Sequence, residues 1–159
     1  MYWFEVLNRA NRYLEDKYDK SNKLLPTDNA KRVAALRWVH AAEGTFMLHA
    51  IGITYTRWFS GDHVEAAKMI EQGMSKNVQK DFDLLEQELG KSPGKFLLGD
   101  HVTVADIMMH FSASFILARG LGTSGQSYPK VEQWIKDCEA CPAYQKAVKH
   151  TGYDLSQSG

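Results

Sequence analysis

An all-α fold is what this 159-residue chain predicts, on three observations. Apolar residues recur at three- and four-residue steps through several long stretches, as one face of a helix requires. No stretch sustains the apolar/polar alternation of a half-buried strand. Proline is scarce, and near the middle a helix-start signal runs directly into a strongly apolar segment.

The first element is an amphipathic helix over Tyr2–Tyr18. Trp3, Val6, Leu7, Ala10, Tyr13, Leu14 and Tyr18 share one stripe, and Arg9, Arg12, Glu15 and Asp16 stand mostly away from it. Asp19-Lys-Ser-Asn-Lys-Leu-Leu-Pro26 is a polar connection closed by proline. From Thr27 or Asp28 a long helix is expected to about Phe59, with Val39, Phe46, Ala50 and Ile53 as its core stripe. A neighbouring stripe holds His40, Gly44, Met47, Ile51 and Trp58, with Tyr55 at its edge.

Ser60-Gly61-Asp62 separates that helix from a second long one, from about Val64 to Leu89. Met69, Ile70, Met74, Val78, Phe82, Leu85 and Leu89 are its expected inward positions, and Lys76, Lys80, Asp81 and Glu86 its solvated face. Gly73 inside it costs roughly 1 kcal/mol against alanine, which suggests close helix approach or a kink. Lys91-Ser-Pro-Gly-Lys95 turns the chain back.

Phe96-Leu-Leu-Gly-Asp-His-Val-Thr-Val-Ala-Asp-Ile107 then reads as a sharp turn dropping into a buried helix. Gly99 can take backbone angles other residues avoid, and Asp100 favours a turn. Thr103 stands at the N-cap with Asp106 three residues later: the threonine hydroxyl accepts the Asp106 amide and the carboxylate reaches back to the Thr103 amide. Val102 and Ile107 occupy the two ends of a hydrophobic staple. Ile107, Met108, Met109, Phe111, Phe115, Ile116 and Leu117 make the following helix apolar over most of its surface, which places it in the centre of a domain. Gly120 and Gly122 supply the exit. Pro129 opens a further helix with Val131, Trp134 and Ile135 inward, and Cys141-Pro142 opens a short last one. The tail from Gly152 is expected to fray.

The length suits one domain with a substantial core. The 19 basic and 19 acidic residues cancel, so neither nucleic acid nor an anionic membrane is indicated as partner. No apolar run reaches the roughly 18 residues of a membrane-spanning helix, and Glu5 and Arg9 interrupt any signal-peptide core. Two cysteines are not a disulfide framework. A soluble, cytoplasmic protein is expected.

Leu97-Leu-Gly-Asp100 followed by Thr103-Val-Ala-Asp106 and an apolar helix resembles the core of the C-terminal domain of glutathione S-transferases. Tyr13-Leu14 with Lys17-Tyr-Asp19, leading to Leu24-Leu-Pro26, resembles that family's last thioredoxin-domain helix and linker. Tyr128-Pro-x-Val131-x-x-Trp134 and Cys141-Pro-Ala-Tyr144-x-x-Ala147 resemble its late helices, and Arg37-Trp-Val-His-Ala-Ala-Glu-Gly-Thr-Phe-Met47 is similar to fungal members. The resemblance implies a remnant helix and linker over 1–26 and an all-α helical bundle over 27–159. It also implies that most of a thioredoxin-like domain lies before Met1. In the family that domain supplies the Tyr, Ser or Cys that activates the thiol, a cis-proline loop and an acidic-Ser pair. The pair falls on Val6 and Leu7 here, and neither side chain binds a peptide carboxylate or amine. The expectation is therefore no catalytic, cofactor-binding or metal residue in this chain, with glutathione a co-substrate only where a complete N-terminal domain exists.

Two functional classes follow. In the first the chain is the substrate-binding half of a glutathione transferase, and His40, Met47, Ile51 and Tyr55 wall a pocket for a small hydrophobic ligand. The plainer account of two of them is a hydrogen-bonded, half-buried His40 and a core-filling Met47. In the second the chain is a stand-alone helical interaction module, as where translation factors and synthetase-associated proteins carry this domain. An apolar surface is then covered by a homodimer partner or another protein, with Tyr2, Trp3 and Phe4 contributing to the cover.

Other chemistry is thin. Cys138-Glu-Ala-Cys141 spans the end of one helix and the start of the next, and packing is its expected role. The histidines (40, 49, 63, 101, 110 and 150) are dispersed and lack metal-site spacing. Glu43 falls near a core stripe, where a carboxylate needs a donor.

Overall fold

The computed structural model describes residues 13–153. Of the helix expected over Tyr2–Tyr18, residues 13–18 are helical; the part resting on residues 2–12, including Tyr2, Trp3 and Phe4, lies outside the described residues. Among the described residues there is no strand, only an isolated bridge between Phe96 and Gly99.

Asp28 starts the first long helix. Its backbone is extended and its carboxylate accepts the Lys31 amide at 3.0 Å, satisfying one orphan donor of the first turn. The helix runs as α1 (Asn29–Ala41), passes through a π-helical stretch, π1 (Ala42–Met47), and continues as α2 (Leu48–Phe59). The Ala42 carbonyl, which α geometry would commit to its own helix, accepts the Ser112 hydroxyl at 3.1 Å. A foreign side chain at the ladder accompanies the wide turn.

Ser60 and Gly61 (φ +50°) reverse the chain into α3 (Val64–Lys91). The close approach between these helices is at Gly52: a Cβ there would lie 2.0 Å from the end of the Met74 side chain. At Gly73, in contrast, an added Cβ meets no described atom within 4 Å and α3 is continuous, so the structure gives that glycine no packing role. Arg57 fastens the hairpin to the rest. It donates to Glu71 at 3.1 Å and to the carbonyls of Arg119 and Gly120 at 3.0 and 3.1 Å.

Val78, Phe82 and Leu85 of α3 are buried as their spacing requires, but Met69 and Ile70 are exposed, because in these early turns Ala67, Glu71 and Met74 are the positions turned toward the body. Two members of its expected solvated face are structural. Asp81 is buried and pairs with His49 at 2.6 Å; burial raises its carboxyl and the His49 bond opposes that. Glu86 accepts the amides of Lys130 and Val131 at 3.0 Å and so caps the next helix but one.

α4 (Val104–Ala118) passes through the middle, packed on α1 and π1, and α5 (Pro129–Glu139) packs on α3 and α4. Val39, Phe46, Ala50 and Ile53 meet Phe82, Leu85, Met109, Ile116, Val131 and Trp134 in one core. Each large side chain buried there contributes about 1.5–3 kcal/mol. Between α4 and α5 the chain turns at Gly122 (φ +71°), where a Cβ would also lie 2.8 Å from Ile53. The last helix is α6 (Pro142–Thr151), and Gly152 ends it in the left-handed conformation.

Candidate ligand-binding site

The start of α4 is fixed from several directions through Asp106. This fully buried carboxylate accepts the backbone amides of Leu97 and Thr103 at 2.9 Å each, the Thr103 hydroxyl at 2.9 Å and the Trp134 indole at 3.0 Å. Both oxygens are engaged, so Asp106 is a joint between loop, α4 and α5 and offers no acid–base chemistry. The Val104 amide donates to the Leu24 carbonyl at 2.9 Å, tying the same point to the connection after the first helical segment.

The opposite side of the first turns of α4 is open. Ile107 and Phe111 are 47% and 42% exposed, so the helix is not buried all round as its composition suggests. Together with α6 they border an apolar cavity of about 590 Å³, with Leu24, Val102, Cys138, Cys141 and Tyr144 also in its wall. His110 forms part of the floor. Its ring meets Trp134 and Tyr144 edge-on at 6.3 and 5.0 Å. Its Nε2 lies 3.4 Å from the Ser114 hydroxyl and 3.6 Å from Glu139. Burial holds the imidazole below its ordinary value, against the pull of Glu139, and this leaves it neutral near pH 7. Burial also raises the Tyr144 and Tyr153 hydroxyls, which stay protonated.

Cys138 is held far above the ordinary thiol range, by burial first and by the charges of Asp106 and its neighbours next. It is a packed thiol and not a nucleophile. Both cysteines are free.

The four residues expected to wall a pocket divide. His40 is exposed, not half-buried; Ile51 and Tyr55 are exposed on the outward face of the long helix; Met47 is buried but outside the main core cluster. Tyr55 carries Trp58 and Phe59 beside it, with ring centroids 5.9 and 6.0 Å away. Glu43 lies half-buried in π1. No described residue donates to its carboxylate, contrary to the expectation of a partner, and burial raises it. Sequence reasoning missed the α4–α6 cavity as a site. In the sequence Val102 and Ile107 read as a staple, Cys138 as a packing residue, and Tyr144 only as part of the late-helix resemblance.

Among the described residues no His/Cys/Asp/Glu cluster is arranged to hold a metal ion, and no helix is long and apolar enough to cross a membrane.

The family model described as "Glutathione S-transferase, C-terminal domain" matches residues 53–149. A glutathione S-transferase of Leptosphaeria maculans is 27% identical over 139 residues, covering 86% of this chain and 57% of the relative. The rat aminoacyl tRNA synthase complex-interacting multifunctional protein 2 is 31% identical over 80 residues, covering 50% of this chain and 23% of that protein. Among solved structures, a delta-class glutathione transferase of Nilaparvata lugens superposes with a TM-score of 0.69 at 27% identity, covering 92% of this chain and 64% of that one. The chain thus spans little more than half the length of the curated transferase it matches.

Proposed function

The chain belongs to the glutathione S-transferase C-terminal domain family, and from that premise we propose that it is the apolar-compound-binding half of a glutathione-transferase-type protein. Thiol activation is then supplied by groups outside these residues. The observation that supports this most is the outward face of the long helix. Ile51, Tyr55, Trp58 and Phe59 are all exposed there, with Met47 buried and His40 further along. Such a surface binds apolar compounds against a second wall and does no chemistry of its own. Cys138 is a protonated thiol, and Tyr128, Tyr144 and Tyr153 are held above the ordinary phenol value.

Calorimetric titration of glutathione into the intact chain, with a generic electrophile assay on the same sample, tests this. No saturable heat and no turnover are expected. Turnover above the uncatalysed rate would mean that these helices carry a complete site, against the proposal.

A second reading, a helical interaction module, is favoured by the same exposed face and by the likeness to the rat multifunctional protein. Its occupant is a second copy or another protein. If it holds, Trp58→Glu with Phe59→Glu shifts the sedimentation of the chain from dimer to monomer; an unchanged distribution counts against self-association.

A further inference from the structure

We propose that the face bearing Trp58 takes aromatic compounds that carry a carboxylate, and that the Arg119 guanidinium, in a small pocket between the ends of α2 and α4, selects the charge. This class rests on the proposed function of the same face and narrows it.

The pocket is walled by Thr54, Arg57 and Trp58 of α2, by Phe115 of α4, and by Arg119 and Leu121 just after it. Its volume is about 80 Å³, under a third of the roughly 300 Å³ of the smallest small-molecule pockets. It therefore holds one functional group, and the rest of the molecule lies outside. The surface outside is aromatic: Trp58 is 65% exposed, with Tyr55 beside it. A flat ring stacked on Trp58 has its substituent at the mouth of the pocket. α4 is 15 residues long, roughly 22 Å, and the pocket stands at its far end from the Leu24–Val104 contact. The groove between α4 and α6 is a different surface.

The two arginines differ in what they have left to offer. Arg57 is matched. Its guanidinium donates to both Glu71 oxygens and to the carbonyls of Arg119 and Gly120, so its charge is cancelled and most of its donors are spent. Arg119 is not matched. Its guanidinium lies 5.5 Å from the Phe115 ring centroid, and among the described residues no carboxylate pairs with it and no oxygen accepts from it. The ring contact holds the side chain while leaving its N–H fork open. No lining residue is acidic. A carboxylate entering here gives up water and gains a planar, two-pronged donor that fits its two oxygens. A neutral compound gains the ring contact alone, and a cation meets like charge.

The test titrates 2-naphthoate and its neutral counterpart 2-naphthamide into the intact chain by calorimetry. The carboxylate is expected to bind at least tenfold tighter than the amide. Arg119→Gln is expected to remove that preference, weakening 2-naphthoate at least tenfold and 2-naphthamide less than twofold. Arg119→Lys, which keeps the charge but not the fork, recovers part of the preference. Circular dichroism confirms that both variants fold, as expected of a side chain whose described partner is the Phe115 ring. Trp58→Ala weakens both compounds to a similar degree. A preference for 2-naphthoate that persists in Arg119→Gln overturns the proposal. Equal binding of the two compounds, lost in Trp58→Ala, refutes charge selection and leaves the proposed function standing. Failure of both compounds to bind overturns charge selection together with the reading of this face as a compound site.

Discussion

The two faces of α4 are both apolar and do opposite things. On the inner face Asp106, Met109, Ala113 and Ile116 are fully buried, no buried side-chain polar atom among the described residues lacks a partner, and α1, π1 and α5 pack on the helix. On the outer face Ile107 and Phe111 stand half in solvent beside the cavity. Hydrophobicity alone does not separate them. What separates them is whether another described element is packed on top. The inner face is where stability resides.

The largest expected break of that contrast is Asp106→Ala. It leaves the Leu97 and Thr103 amides and the Trp134 indole without an acceptor. At about 1–3 kcal/mol for each buried orphan, the chain loses at least about 3 kcal/mol in urea denaturation, or does not fold. A loss under about 1 kcal/mol would show that the joint is dispensable. Met109→Ala, on the same face, costs about 2–5 kcal/mol through the cavity it leaves. Phe111→Ala, two residues on and on the outer face, costs under about 1 kcal/mol, since the half-exposed ring gives up a stack on Phe115 and only part of its burial.

The smallest effect sharpens the boundary between the faces. His110 titrates below 6.5 in the folded chain because it is buried. As pH falls through 6.5 the unfolded chain takes up that proton first, so stability declines from there down to the folded value and then levels. His110→Gln removes this one contribution, and denaturation midpoints between pH 7 and 5 become flatter than those of the parent. An unchanged slope would mean that His110 is solvated.

Much of the fold was legible. The long helices, their separation at Ser60–Asp62, the descent at Thr103 and the proline-led late helices each rest on local signals: periodicity, turn residues and caps. What was not legible depends on partners far away in sequence. Trp134 reaches Asp106 across 28 positions and Glu86 reaches Lys130 across 44, and neither carboxylate announces its donor. Met69 and Ile70 have the spacing of core residues, but nothing in a helix's own sequence says which neighbouring positions its partner covers. π1 escaped notice because residues 42–47 satisfy an α-helical stripe equally well, and the hydroxyl that joins the ladder belongs to Ser112. The cavity escaped for the same reason. Its walls are ordinary apolar positions until α4 and α6 are set beside each other.

The most direct test pairs Met109→Ala with Phe111→Ala and measures urea stability on both. Met109→Ala is predicted to lose about 2 kcal/mol or more. Phe111→Ala is predicted to keep its stability within about 1 kcal/mol. Equal losses of stability in the two variants would contradict the division of α4 into a structural face and an open one.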